Sequence, residues 1–458
     1  MPMFIPVTAA SETGKSEKRE LSSWFSQVQR QQPVTLSAIT VMADDAPLCT
    51  LTKATGVSAV KTVNGGSGYA EGDNLTPASG EYAEPARIRV LAVDDDGAIT
   101  SVAVQLPGVY SQKPEEDEVS VTGGSGSGAT FTLTWNAGVA SSIYNGKMTS
   151  RTDTSAFEYT GYSPQDSVSG YRGNGVQNGT QCIVEFISDA PVLDFRFVGG
   201  NAQYDLYVNG QRIQGESVQT DSSGAPYIYT VDWSNTSEAS ALRHYRLCGI
   251  NTGFGGVITG QAYTVMVPQG NRRPLAWQMG DSYTVGIGAT QPSYNDFRVM
   301  CDALGIDGIA DGISGSGWTS TQDGRVPPER VRLKLGNITR QPQYIFLSLG
   351  YNDAPGGQTE LLKTNFTESV AEIRRLCPLS KIIVIGPATP TGHTTQLDEV
   401  RSALMECCTE LNLPFVDVRN VVNSANKQLY TGSDNVHPSN DGHIFRGLQM
   451  AMRASQFM

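Results

Sequence analysis

The 458-residue chain is short of charge: Asp, Glu, Lys and Arg make up 17% of it, against roughly a quarter in an average soluble protein. What charge there is leans acidic, with 45 carboxylates, 33 Lys and Arg, and a net charge of −12. A chain without a basic surface has little with which to displace phosphate counterions, so nucleic acid is not an expected partner. No run of 18 apolar residues occurs, so no membrane-spanning helix and no membrane partner are expected. The opening MPMFIPVTAASETGKSEKRE has no basic start, no long apolar stretch and no small-residue cleavage site, and does not read as a secretory signal.

Cysteine is sparse and unpatterned. The seven (Cys49, Cys182, Cys248, Cys301, Cys377, Cys407 and Cys408) are odd in number and contain no CxxC, so neither a disulfide framework nor a zinc knuckle is expected. Folding in a reducing cytoplasm follows, and the adjacent Cys407 and Cys408 read as packing residues of a helix. Histidine is scarcer still, with only His244, His393, His437 and His443. Glycine is plentiful at 49 residues, and apolar residues make up 39%. That composition suits a β-rich, loop-rich chain with several cores, and about 150 residues per domain gives about three domains.

Four segments differ in texture. Residues 1–45 hold a helical candidate, SEKRELSSWFSQVQRQQ, whose Leu21, Trp24, Phe25 and Val28 form one apolar stripe that needs a docking surface. Residues 46–136 carry an imperfect repeat. VSAVKTVNGGSGYAEGD aligns with ITSVAVQLPGVYSQKPE, each with a Tyr (Tyr69, Tyr110), and PARIRVLAV and GATFTLTW follow as further alternating strands. DDDG at 94–97 lacks the spaced ligands of a calcium loop and reads as a turn, and EEDE at 115–118 reads as a solvated loop. Glycine-rich modules with GGSGY and GGSGSGATF resemble those of bacteriophage tail and fibre proteins. Residues 140–268 offer the strands CIVEFISD, VLDFRFVG, YDLYVNGQRI, YIYTVDW, HYRLCGI and YTVMVP, a β-sandwich or jelly roll that is either carbohydrate-binding or a spacer. From about residue 270 to 458, short apolar strands (PLAWQM, YIFLSLG, KIIVIGP, PFVDVR) alternate with amphipathic helices. That is the pattern of a parallel sheet covered on both faces, with ligands at the carboxyl ends of its strands.

Three polar clusters stand at such ends, and a fourth lies near the C-terminus, just before the final helix. MGDSYTVG places Ser282 at a strand-to-helix turn, where free N–H groups favour an oxyanion. DGISGSGW offers glycines whose N–H groups a ligand can approach. SLGYNDA offers the Asn352 amide. SDNVHPSNDGH places Asp434 three residues before His437, within reach of its imidazole. Together they fit a nucleophile, oxyanion donors, and a base with its orienting acid.

In this order the four blocks resemble the SGNH (GDSL-type) hydrolase family: GDS at 280–282, ISGSG, GYND at 350–353 and DNVHP at 434–438. The resemblance spans about residues 274–455 and implies an esterase that needs no cofactor and no metal. By it, Ser282 is the nucleophile, His437 the base and Asp434 its acid. Ser282, Gly315 and Asn352 form the oxyanion hole, with Gly312 and Gly317 close enough to compete for the middle place. Tyr283 departs from the family's leucine, beyond the nucleophile. His244 reads as a strand residue, His443 as a poorer base, His393 as a surface-loop residue or a substrate contact, and Asp353 as a structural hydrogen-bonder. Tyr351 and Trp318 are candidate substrate-binding residues, packing and sugar stacking being equally open for each.

The whole is expected to be a multidomain protein: β-rich modules, a β-sandwich, then an α/β hydrolase domain. A sandwich ahead of such a domain is similar to the layout of carbohydrate acetylesterases. With the fibre-like glycine modules, this implies a phage tail-spike or tail-fibre esterase that removes O-acetyl groups from a capsule or O-antigen. It would be made in the host cytoplasm, carried in the virion beside other tail proteins, and be a homo-oligomer, a trimer in view of the N-terminal stripe. A free, secreted polysaccharide or xylan acetylesterase and a non-catalytic receptor-binding protein on a relic fold are the rivals. A lipase is disfavoured, because no long apolar lid is present.

Overall fold

A computed structural model of the chain describes residues 42, 45–136, 138, 141, 143, 146–160, 182–197, 203–222, 225–250, 253–268, 273–322, 324–338, 340–354 and 357–458. The candidate helix near the N-terminus lies outside them. The middle of the molecule is a two-sheet antiparallel sandwich. One sheet runs Leu48–Lys53, Tyr227–Asp232, Val192–Phe197, Phe254–Thr259, Lys147–Ser150. The other runs Glu158–Thr160, Cys182–Ser188, Arg243–Ile250, Gln203–Val208, Gln211–Arg212, with two short flanking strands. Alternate residues of each strand meet between the sheets. Phe186 stacks on Tyr245 with ring centroids 4.9 Å apart, and Phe197 on Tyr204 at 4.3 Å. Each buried side chain of this size contributes about 1.5–3 kcal/mol by leaving water.

The Asn-Gly pair makes the two-residue hairpin its composition suggests: Asn209 and Gly210 take φ of 49° and 82°, with Val208 paired to Gln211. Phe254–Thr259 is a central strand that sequence reading passes over, because the Gly255–Gly256 pair looks like loop. The glycines serve a register shift opposite Arg196 and Phe197, where Gly256 has a φ of 118°.

One boundary moves. Leu48–Lys53, read as the start of the repeat module, pairs antiparallel with Tyr227–Asp232 and belongs to the sandwich. The glycine-rich module is therefore an insertion into the sandwich. Its two chain crossings lie side by side, with Asn136 N–H donating to Gly56 O at 2.9 Å. Inside it the six-stranded order is Val57–Ser67, Ser127–Trp135, Val119–Thr122, Asn74–Pro77, Arg87–Val93, Ile99–Leu106. The first strand of each repeat copy thus pairs with the last strand of the other, about a pseudo-two-fold between the two middle strands. DDDG is the turn at 94–97, and EEDE is exposed. The module covers the outer face of the first sheet: Val109 packs with Ile228 and Ile258, and Glu84 meets the wholly buried Arg196 at 2.5 Å.

The C-terminal domain has a parallel sheet of β1 (Leu275–Gly280), β2 (Asp307–Gly312), β3 (Tyr344–Ser348), β4 (Lys381–Ile385) and β5 (Phe415–Val416), in the order β2-β1-β3-β4-β5. Its helices are α1 (Ser282–Val285), α2 (Asp296–Leu304), α3 (Pro327–Gly336), α4 (Thr359–Leu376), α5 (Thr395–Glu410), α6 (Lys427–Tyr430) and α7 (Asn440–Ala454). Successive strand residues point to opposite faces. Trp277, Ile345, Leu347 and Val384 meet α3, α4 and α5, whereas Ala276, Phe346 and Ile383 meet α2 and α7. The α4 stripe of Leu362, Phe366, Val370, Ile373 and Cys377 is buried, as its spacing predicts, and so are Cys407 and Cys408. Cys49, Cys248, Cys301, Cys377, Cys407 and Cys408 are free thiols. Among the described residues no helix is long and apolar enough to cross a membrane.

Candidate active site

Gly280, the last residue of β1, lies in register with Gly312 of β2 and Ser348 of β3. The loops that leave these three neighbours therefore open at the same edge of the sheet. Asp281 caps α1 by accepting Tyr283 N–H at 3.0 Å, and Ser282 is the first helical residue. Burial pushes the Asp281 carboxyl up to about 6, against the pull of Tyr283 N–H and the Arg446 guanidinium.

His437 comes from the loop before α7. Its Nε2 lies 2.8 Å from Ser282 Oγ, and its Nδ1 lies 2.6 Å from Asp434 Oδ2. Asp434 Oδ1 accepts the N–H groups of Val436 and His437, both at 2.9 Å, so the same carboxylate shapes the loop and aims the ring. The backbone N–H of His437, then its ring, then Val436 N–H hold the Asp434 carboxyl down to about 2. Tyr283 ties the two halves together, its hydroxyl donating to Val436 O at 2.5 Å. Gly288 is required here: its φ is 98°, and a Cβ on it would sit 2.1 Å from Pro438 O.

The oxyanion donors follow from the strand register. Neither Ser282 N–H nor Gly315 N–H has a hydrogen-bond partner among the described residues. Asn352 spends one amide hydrogen on Ser316 O at 2.8 Å, leaving the other for a ligand. Gly312 ends β2 and the Gly317 N–H is given to Ser320 O at 2.9 Å, so of the competing glycines Gly315 is the one with a free donor in this loop.

The other sequence candidates separate cleanly. Trp318 is wholly buried against Phe366, ring centroids 4.9 Å apart, and cannot offer a face to a sugar. Its candidacy as a substrate contact is corrected to core packing. Tyr351 is half-buried beside Tyr283, ring centroids 5.8 Å apart at an interplanar angle of 61°. Asp353 accepts Trp318 N–H and Thr319 N–H, each at 2.8 Å, and braces the oxyanion loop. His443 is buried, with Nε2 2.9 Å from Ile287 O and Asp296 N–H reaching Nδ1 at 3.3 Å, and burial lowers its pKa. His393 pairs with Asp398 at 3.2 Å on a surface loop, and His244 with Glu185 at 3.2 Å on its strand.

Sequence reading missed the residues underneath. Arg330 of α3 is buried and donates to Gly280 O and Asp311 Oδ1, both at 3.1 Å, and to Ser316 Oγ at 3.3 Å, pinning the ends of β1 and β2. Its signal was its place beside Pro327 and Val331 on the buried face of the helix, where a charge needs partners. Asn295 caps α2 and donates to Thr284 O at 3.0 Å. Arg446 pairs with Asp296 beneath Tyr283, its guanidinium 4.8 Å from the ring centroid.

This arrangement defines a serine hydrolase. His437 Nε2 is placed to take the Ser282 proton as Oγ attacks an ester carbonyl, with the free N–H groups placed to receive the oxyanion. The protonated imidazole returns the proton to the leaving alcohol, and water repeats the cycle on the acyl-serine to release the acid. Residues 279–444 match the GDSL-like lipase/acylhydrolase family, and this C-terminal domain is a serine esterase of that type. No curated protein matches the sequence. The fold is similar to that of a family two carbohydrate esterase from Clostridium thermocellum solved in complex with cellohexaose. That match has a TM-score of 0.50 and 17% identity, covering 66% of this chain and 98% of that one. An active-site mutant of a family two carbohydrate esterase from the same organism gives a TM-score of 0.50 at 18% identity, with the same coverage. An acetyl xylan esterase, Est2A, from Butyrivibrio proteoclasticus gives 0.49 at 14%, covering 69% and 99%.

Proposed function

We propose that the protein is a carbohydrate esterase that removes O-acetyl groups from a bacterial surface polysaccharide, capsule or O-antigen, as part of a phage tail spike or fibre. The observation that carries the chemistry is the Ser282–His437–Asp434 relay, at 2.8 and 2.6 Å, set beside three donors free to receive an oxyanion. A sugar substrate is supported by the fold likeness to the esterase solved with cellohexaose. The half-buried Tyr351 ring, at the edge of the site, is the residue we assign to the sugar. From Cys182 onwards the sandwich strands alternate between the two sheets except for Gln203–Val208, Gln211–Arg212 and Val218–Gln219, which share one sheet, and we read the sandwich as a jelly roll. The virion setting and neighbouring tail proteins as partners rest on the glycine-rich repeat, and a homotrimer on the apolar stripe of Leu21, Trp24, Phe25 and Val28 in the sequence.

The test is acetate release from a panel of acetylated bacterial polysaccharides. Release by the wild type and its loss by about four to six orders of magnitude in Ser282→Ala are expected. Equal release by the variant would rule out the mechanism. A second reading, a free polysaccharide or xylan acetylesterase, is favoured by the same likeness to the cellohexaose-bound enzyme. Release from acetylated xylan alone, with no protein sedimenting with phage particles, would establish it.

A further inference from the structure

The loop that joins the nucleophile helix to α2, residues 286–295, is held from two sides. On the catalytic side, Thr290 N–H donates to Asn440 Oδ1 and Asn440 Nδ2 donates to Thr290 Oγ1, both at 2.9 Å. Asn440 stands three residues beyond His437, at the start of α7. On the other side the holders come from the sandwich. Asp205, 2% exposed, accepts Ser293 N–H at 3.0 Å through Oδ2. Its Oδ1 takes Arg212 at 2.5 Å and Ser217 Oγ at 2.6 Å, and Arg212 reaches on to Gln291 Oε1 at 2.5 Å. Gln203 donates to Thr290 O. The far end of α2 is held as well: Arg246 of the sandwich lies 3.3 Å from Asp302 and 3.8 Å from Asp307.

A buried carboxylate on a backbone N–H, itself tied to a buried guanidinium, fixes a segment far more firmly than surface contacts do, because breaking it strands a charge away from water. The clamped segment is short. It starts where Ser282 O accepts Gly286 N–H and Ile287 N–H, both at 3.1 Å, and passes against Pro438 at Gly288.

We propose that the sandwich is part of the catalytic apparatus: through Asp205 it sets the 286–295 loop, and thereby the spacing between Ser282 and His437. Asp205 is a positioning residue, which acts through Ser293, Thr290 and Asn440. The inference rests on the Ser–His–Asp reading of the site.

The test uses the full chain and p-nitrophenyl acetate, a substrate too small to need a polysaccharide-binding surface. Asp205→Ala is expected to lower kcat about ten- to a hundredfold with KM changed less than about twofold, since small misplacement of reacting groups is costly. Asp205→Asn keeps an acceptor for Ser293 N–H and is expected to restore most of the rate. Combining Asp205→Ala with Asn440→Ala should give less than the product of the two single effects, as expected of groups on one path. Asp194→Asn is the stability control. Asp194 is buried in the opposite sheet, bonded to Ser141 and Thr230, and its variant should lower Tm but leave kcat within about twofold. Unchanged kcat in Asp205→Ala, or an equal loss in Asp194→Asn at matched Tm, overturns the proposal. Activity surviving in Ser282→Ala would instead overturn the reading of the site.

Discussion

Ser282 owes its reactivity to groups that are themselves held. Asp434 stays ionised at every pH where an esterase works, its carboxyl being held down to about 2. Asn352 is the sole side chain among the three oxyanion donors, so it can be removed without disturbing the backbone. Asn352→Ala is expected to lower kcat about 10²- to 10³-fold with KM little changed, measured by steady-state hydrolysis of an aryl acetate. Asp281 behaves in the opposite sense to Asp434. Burial raises its pKa to about 6 in the folded chain, so folding favours its protonated form. That contribution is complete below about pH 4 and is lost as pH rises through 6. Asp281→Asn keeps an acceptor for Tyr283 N–H and avoids the buried charge. It should be more stable than the wild type by about 2–3 kcal/mol at pH 8 and no more stable at pH 4, by urea melts at both. Ser282 and Asn352 are legible as candidates because each follows a strand end in a short motif, and Asp434 and His437 because they stand three residues apart ahead of the last long helix. Asn295 and Asp205 were not legible, since what distinguishes them is the buried partner that the fold brings to them, and Arg330 shows only as a charge on an otherwise apolar helix face.

At the scale of elements, the strands and helices of the C-terminal domain follow from apolar spacing, and the site follows from where three adjacent strands stop. Spacing does not report how tightly the connecting loops pass one another. Gly288 is the clearest case: its backbone lies on Pro438, immediately after the base. Gly288→Ala must push that loop away or abandon a φ of 98°, and it should lower kcat about ten- to a hundredfold. A matching lengthening of the Ser282–His437 contact in its crystal structure would tie the loss to geometry; an unchanged rate would show that the base loop gives way freely. Trp318 teaches the converse. An aromatic beside a catalytic glycine reads equally well as a sugar platform, and only the packing of α4 against the sheet decides for the core.

For the whole molecule, a linear reading of domains gives the right textures and one wrong seam. Leu48–Lys53 finds its partner at Tyr227–Asp232, and no local pattern announces a pairing across so much intervening chain. The glycine module is consequently a side branch. Replacing residues 57–135 with a short Gly-Ser turn should leave kcat on an aryl acetate within about twofold, since its chain ends already meet at Gly56 and Asn136. Tm should fall by several degrees, because Arg196 loses Glu84 and the apolar cover of Val109 is removed. A collapse of activity would mean instead that the branch reaches the catalytic domain.

The exchange of strands within that branch has its own consequence. Residues 57–98 and 99–135 each hold strands that the other completes, so one copy by itself would leave its strand edges unpaired. Joining the copies in a single chain replaces an encounter between two molecules with one along a tether. Completion then no longer depends on how much protein is present. What looks like simple repetition is a pair of mutually completing halves whose one-to-one ratio is written into the chain.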